Sequence, residues 1–197
     1  MTLTIEARPR SPALDLAAVR RLAETLADWA AESAARDGRK PMWTRRPRRV
    51  SASAARDGRK PDFGDVALCF VGPAAIARIH RDALGLPGET DVVTLAYAAT
   101  PTTPAAAEIF VNAALARRRG ADRADLDLTA PERRLVWSPD HELALYIAHG
   151  FDHLAGADDA TPDGFAAMRQ RELDWIRRAE DLGLVAGLFK KPGDRHV

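Results

Sequence analysis

His149 and His153 stand four residues apart in the run His149-Gly150-Phe151-Asp152-His153-Leu154-Ala155-Gly156-Ala157-Asp158-Asp159. With 3.6 residues per turn, that spacing lays two imidazoles on one face of a helix. Gly156 accepts positive φ, so the helix can stop there and the chain can fold back, returning Asp159 toward the imidazoles. Three protein ligands from one short segment, with a fourth position left to water, is the layout of a catalytic zinc site. A closed structural site would use four ligands rich in cysteine, and the chain has a single cysteine, Cys69. Asp158 is the rival for the third place, but spacing favours Asp159. Histidines at this spacing also occur as plain surface or core residues, and it is the added glycine and acid that narrow the reading.

The same spacing serves metalloproteases of the H-E-x-x-H-x-x-G-x-x-H type and their Asp-ended variant. Those enzymes use the Glu directly after the first His as general base. Gly150 occupies that position here and cannot move a proton, while Asp152 and Asp158 lie elsewhere on the helix and turn. Peptide hydrolysis is demoted.

The flanking sequence supplies the elements that must hold these residues. Ser138-Pro139-Asp140 opens the histidine helix as cap, first-turn proline and acid matched to the helix dipole. Leu143, Ile147 and Phe151 form its apolar stripe, and both histidines fall off it. Thr161-Pro162-Asp163 starts a last helix with Phe165, Met168, Leu173 and Ile176 on its expected buried side. Upstream, residues 3–7 alternate like a strand, and Asp15 caps a helix marked by Leu16, Val19, Leu22, Leu26 and Trp29, whose pattern fails near Glu32. Residues 66–71 read as a buried strand. Pro73 opens a helix through Leu84, with Ile76, Ile79 and Ala83 inward. Two strands follow at 90–97 and 108–112, then a helix over 113–119 and a polar connection over 120–132.

A chain of 197 residues with 46% apolar content suits one core, so residues 1–197 are expected to form a single domain with a loose tail from about 190. No apolar run is long enough to span a bilayer, and a charged start argues against export. With one cysteine, a reducing cytoplasm is the expected location. Charge is unevenly spread. Residues 36–60 hold ten Lys/Arg against two Asp on a chain whose formal net charge is only +1. Within that basic segment Ser33 through Pro41 recurs identically as Ser53 through Pro61. Two copies are too few for a solenoid, and residues 37–60 are read as a flexible insertion. It serves either an anionic partner such as nucleic acid or solubility alone. His141 and His196 are expected in solvent, and Trp29, Trp137 and Trp175 in packing.

These residues resemble the YbeY family, bacterial endoribonucleases and rRNA maturation factors with the signature H-G-x-L-H-L-x-G-Y-D-H followed by M-x-x-x-E. His149, Gly150, His153, Leu154, Gly156, Asp158, Met168 and Glu172 match it, and Thr90-Asp91-Val92-Val93-Thr94-Leu95 is similar to the family's T-D-V-L-S-F strand. The resemblance implies a single α+β domain: a small mixed sheet of about four strands packed by helices, with a metal at a cleft mouth. It implies His149, His153 and Asp159 as zinc ligands, and RNA, with rRNA and the small ribosomal subunit, as partner. It further implies a metal-activated water hydrolysing phosphodiesters in rRNA maturation and ribosome quality control.

Three departures stand out. Asp159 replaces the third histidine and loosens the preference for zinc over manganese, iron or nickel. Asp152 replaces an apolar residue. The family arginine falls on Leu84, with Arg81 one turn earlier. Arg81, His80 and the basic segment are the candidate phosphate contacts. Asp91 is either a support for a ligand histidine through its other ring nitrogen or a turn residue at the strand entrance. A ribosome- or RNA-binding assembly factor with a structural metal is the main alternative, ahead of a zinc metalloprotease-like hydrolase.

Overall fold

Side chains along β2 (Asp65–Phe70) alternate between two apolar clusters, so the strand is buried on both faces. Val66, Leu68 and Phe70 enter the main core, while Ala67 and Cys69 join a smaller one. The computed structural model describes residues 1–42, 60–122 and 136–190. Most of the basic insertion at 37–60, most of the polar connection at 120–132, nearly all of the tail from 190, and His196 lie outside the described residues.

Among the described residues nine elements follow in order: β1 (Thr2–Ala7), α1 (Leu16–Asp37), β2, α2 (Pro73–Leu84), β3 (Val92–Tyr97), β4 (Ala106–Val111), α3 (Ala113–Asp122), α4 (Pro139–Leu154) and α5 (Pro162–Asp181). The sheet order is β1-β2-β4-β3, with β1, β2 and β4 parallel and β3 antiparallel to β4. This is the α+β architecture with a four-stranded mixed sheet that the family resemblance implied. α1 and α4 pack over the main core. α2 covers the opposite sheet face through Ile76 and Ile79. Among the described residues no helix is long and apolar enough to cross a membrane.

Four expectations need correction. α1 runs on past Glu32 to Asp37, because Ala30, Ala31, Ser33 and Ala34 form a buried small-residue seam that lacks bulky markers, and Gly38 ends it in the left-handed region. His141 is buried, bonded to Ser138 Oγ at 2.8 Å and Glu180 at 3.2 Å. Ala83 lies on the exposed end of α2. Phe165 is 48% exposed, although Met168, Leu173 and Ile176 of the same helix are buried. The three tryptophans Trp29, Trp137 and Trp175 do pack in the core.

Candidate metal centre

α4 begins where Ser138 caps it with Pro139 at the first turn. Its start is tied down further: Asp140 accepts from the backbone N–H groups of Gly187 and Phe189, and Glu142 from the Trp137 indole at 2.8 Å. Farther along, Gly150 lets the helix close on the sheet. A Cβ there would meet Ile109 Cγ2 at 2.5 Å, and Thr94 donates to the Gly150 carbonyl. The residue that excludes a protease base is therefore the one that sets the helix–sheet distance. α4 stops at Leu154. Gly156 then adopts φ +89°, and a Cβ on it would lie 2.0 Å from the Lys40 carbonyl oxygen.

That turn carries Asp159 back to the helix. His149 Nε2 and His153 Nε2 stand 3.0 Å apart, with Asp159 oxygens 3.6 and 3.8 Å from them. Donors on a tetrahedral ion with bonds of about 2.0–2.2 Å are separated by roughly 3.3–3.5 Å, so the three atoms suit one cation. Among the described residues this trio is the group of His, Cys, Asp and Glu able to hold a metal ion. All three side chains stay partly open to solvent. Asp158 is exposed and accepts from the Ala160 N–H.

The far ring nitrogens decide which atoms face the centre. His149 Nδ1 bonds Glu172 Oε1 at 2.6 Å, and Glu172 is fully buried on α5. His153 Nδ1 reaches the Ala157 carbonyl at 3.4 Å. Both contacts place the proton on Nδ1 and leave an Nε2 lone pair for a cation. Two lone pairs 3.0 Å apart repel unless a proton or metal lies between them, and the titration behaviour follows. Burial alone would lower both imidazoles. At His149 the hydrogen bond and charge of Glu172 outweigh it, with Asp91 and Asp159 adding through space, and the pKa is raised. At His153 burial and the neighbouring His149 prevail, and the pKa is lowered.

Other named residues sit elsewhere. Asp91 accepts from the Val92 N–H and the Thr90 hydroxyl at the entrance to β3, and Glu172 holds the place behind His149. His80 and Arg81 lie on α2, across the sheet from α4. His80 bonds the Gly88 carbonyl and Arg81 pairs with Asp82 at 3.1 Å. Asp152, beside His153, is fully buried and bonded by Arg171 at 2.6 and 2.9 Å and by Arg39 at 2.8 Å. Glu172 was visible in the sequence as a motif match, yet its task becomes plain only once α5 packs on α4.

Fold and cluster together define a class: a small α+β domain with an open three-donor centre at the end of one helix. Within that class the chain belongs to the YbeY family, since the family model described as Endoribonuclease YbeY matches residues 42–180. An Endoribonuclease YbeY of Campylobacter fetus is 30% identical over 129 residues, covering 66% of this chain and 83% of that protein. Another, from Anaeromyxobacter, is 29% identical over 130 residues, covering 66% of this chain and 60% of that one. A protein from Thermotoga maritima known by its solution structure is 16% identical with a TM-score of 0.50, over 98% of this chain and all of its own, a likeness of fold alone.

Proposed function

We propose that the chain is a metal-dependent endoribonuclease acting in rRNA maturation and ribosome quality control in the cytoplasm, with RNA, including rRNA, and the small ribosomal subunit as its partners. Membership of the family supports RNA cleavage. The observation that carries metal dependence is the meeting of two Nε2 atoms and a carboxylate at a solvent-open position. One zinc ion is assigned to His149, His153 and Asp159. The carboxylate is a harder donor than a third imidazole, so manganese, iron or nickel would compete for the site.

A bound divalent ion supplies Lewis acidity toward a phosphoryl oxygen and a more acidic water. The protein's own share is orientation. Glu172 and the Ala157 carbonyl hold the two rings with Nε2 forward, and Gly156 aims Asp159 at the same point. The chain is proposed to act as one domain, with the basic insertion at 37–60 as an accessory to it.

The test is incubation of the zinc-loaded protein with structured and single-stranded RNA, with and without chelator. Metal-dependent cleavage lost in His153→Ala is the expected result. RNA binding without cleavage, untouched by that substitution, would replace the proposal with an assembly factor. Metal-dependent casein turnover would replace it with a peptidase.

A further inference from the structure

The chain leaving α1 runs straight to the helix that carries the histidines. Gly38 caps α1 in the left-handed region, and the Arg39 N–H donates to the Ala34 carbonyl at 2.9 Å, which fixes where residues 39 and 40 go. Arg39 then reaches α4. Its Nη1 donates to Asp152 Oδ1 at 2.8 Å and its Nη2 to Ser33 Oγ at 2.7 Å, and the carboxylate is wholly buried. The next residue, Lys40, lays its carbonyl oxygen against Gly156, in the space that a Cβ would need.

Both contacts bear on the turn that carries Asp159. The Asp152 carbonyl accepts from the Ala157 N–H at 3.0 Å, and the His153 carbonyl accepts from the Gly156 N–H at 2.8 Å. Asp159 follows two residues after Ala157. Its oxygens stand 3.6 and 3.8 Å from the imidazole nitrogens, too far for hydrogen bonds, so its aim comes from the backbone beneath it. Arg39 and Lys40 belong to the first copy of the repeat, Ser33 through Pro41, and precede the residues 42–180 that match the family model. A carboxylate buried alone at 152 would be costly, and Arg39 and Arg171 meet it there.

We infer that Arg39 and Lys40 brace the Gly156 turn and thereby set the position of Asp159 as the third metal donor. Arg39 is a positioning residue. It does not touch the ion; through Asp152 it pins the stretch of chain whose Lys40 carbonyl holds the turn. Two departures from the family signature, Asp152 and Asp159, thus become parts of one device, served by chain that lies ahead of the matched residues. The brace rests on the metal-centre reading and not on the identity of the substrate.

The experiment uses the full chain. Zinc affinity is read by competition with a chromogenic chelator, and backbone amide exchange is read by NMR in the chelated protein. Arg39→Ala leaves Asp152 its pair with Arg171, and should weaken zinc binding about tenfold, the low end of the range for groups that orient a ligand. In an Asp159→Ala background the same change should cost less than about twofold, because the donor it positions is gone. Amide exchange in Arg39→Ala should quicken at residues 156–159 and keep wild-type rates at residues 143–147. Should the alanine variant melt early, Arg39→Met keeps the aliphatic stem and repeats both measurements. If Asp159→Ala holds no zinc, the exchange pattern alone decides. Wild-type zinc affinity in Arg39→Ala, losses that add in the double variant, or exchange that quickens equally along α4 would each overturn the brace and leave the metal centre standing. A wild-type chain that binds no zinc overturns the metal-centre reading and the brace together.

Discussion

Glu172 shows how much a single carboxylate can do without touching the reacting centre. Buried on α5 and 2.6 Å from His149 Nδ1, it fixes the tautomer, the ring plane and the basicity of one donor. Glu172→Gln keeps an oxygen that can accept from Nδ1 but removes the charge. Zinc affinity should fall by about 10- to 100-fold, read by competition with a chromogenic chelator, while the circular dichroism spectrum stays native. Unchanged affinity would mean that the ring is held by packing alone. The meeting of His149, His153 and Asp159 was legible in the sequence because its geometry is local, one helical turn and one glycine turn. The support behind them was not, since 23 residues and a second helix separate Glu172 from His149. The i+4 rule says nothing about which distant face will arrive behind a ring.

At the scale of elements, Asp152 is the joint. It links α4 to α5 through Arg171 and to the end of α1 through Arg39, whose Nη2 also bonds Ser33 Oγ at 2.7 Å. Asp152→Ala would take from Arg171 its buried carboxylate and leave Arg39 with Asp37 alone, at 3.3 Å. The expected loss is about 3–5 kcal/mol of stability, measured by urea denaturation. Leucine at 152 should cost similarly while both arginines remain, and less once Arg39 and Arg171 are also made apolar. A loss below about 1 kcal/mol for alanine would show that water reaches the arginines and the clamp is slack. Gly150 acts at the same scale. Gly150→Ala drives a methyl toward Ile109 Cγ2, a stiff β-branched neighbour in the core, and should destabilise by about 1–3 kcal/mol in the same assay. The strands and the histidine helix were readable from periodicity and caps. The last turns of α1 were not, because a seam of alanine and serine is amphipathic only in relation to the partner it meets. The exposure of Phe165 was equally hidden, since spacing marks a face without saying whether another element will cover it.

Across the whole molecule, the proposed metal loading is linked to folding. The three donors come from α4 and the turn beyond it, and the support of His149 comes from α5, so the native state gathers a site that an unfolded chain disperses. Zinc at about 100 times its dissociation constant should stabilise the protein by about 2.7 kcal/mol. For a chain of this size that is a rise in Tm of roughly 5–10 °C, reversed by chelator. The size of that rise should depend on pH. In the metal-free protein His149 titrates above its ordinary 6.5, because Glu172 overcomes the effect of burial. The protonated pair therefore contributes its full stability below the unfolded value, and that contribution fades as pH climbs through the raised one. Zinc binding has the opposite slope, since the same proton must leave before Nε2 can act as a ligand. Through His149, raising pH thus weakens the metal-free fold while it strengthens zinc binding; His153, whose pKa burial and the neighbouring His149 lower, pulls the metal-free fold the other way. The gap in Tm between zinc-loaded and chelated protein should widen steadily from about pH 6 to about pH 8, and His149→Ala should remove most of the gap. Calorimetry of both forms across that range checks the sign. A gap that is flat with pH, or that survives His149→Ala, would show that His149 is not where the ion and the proton compete.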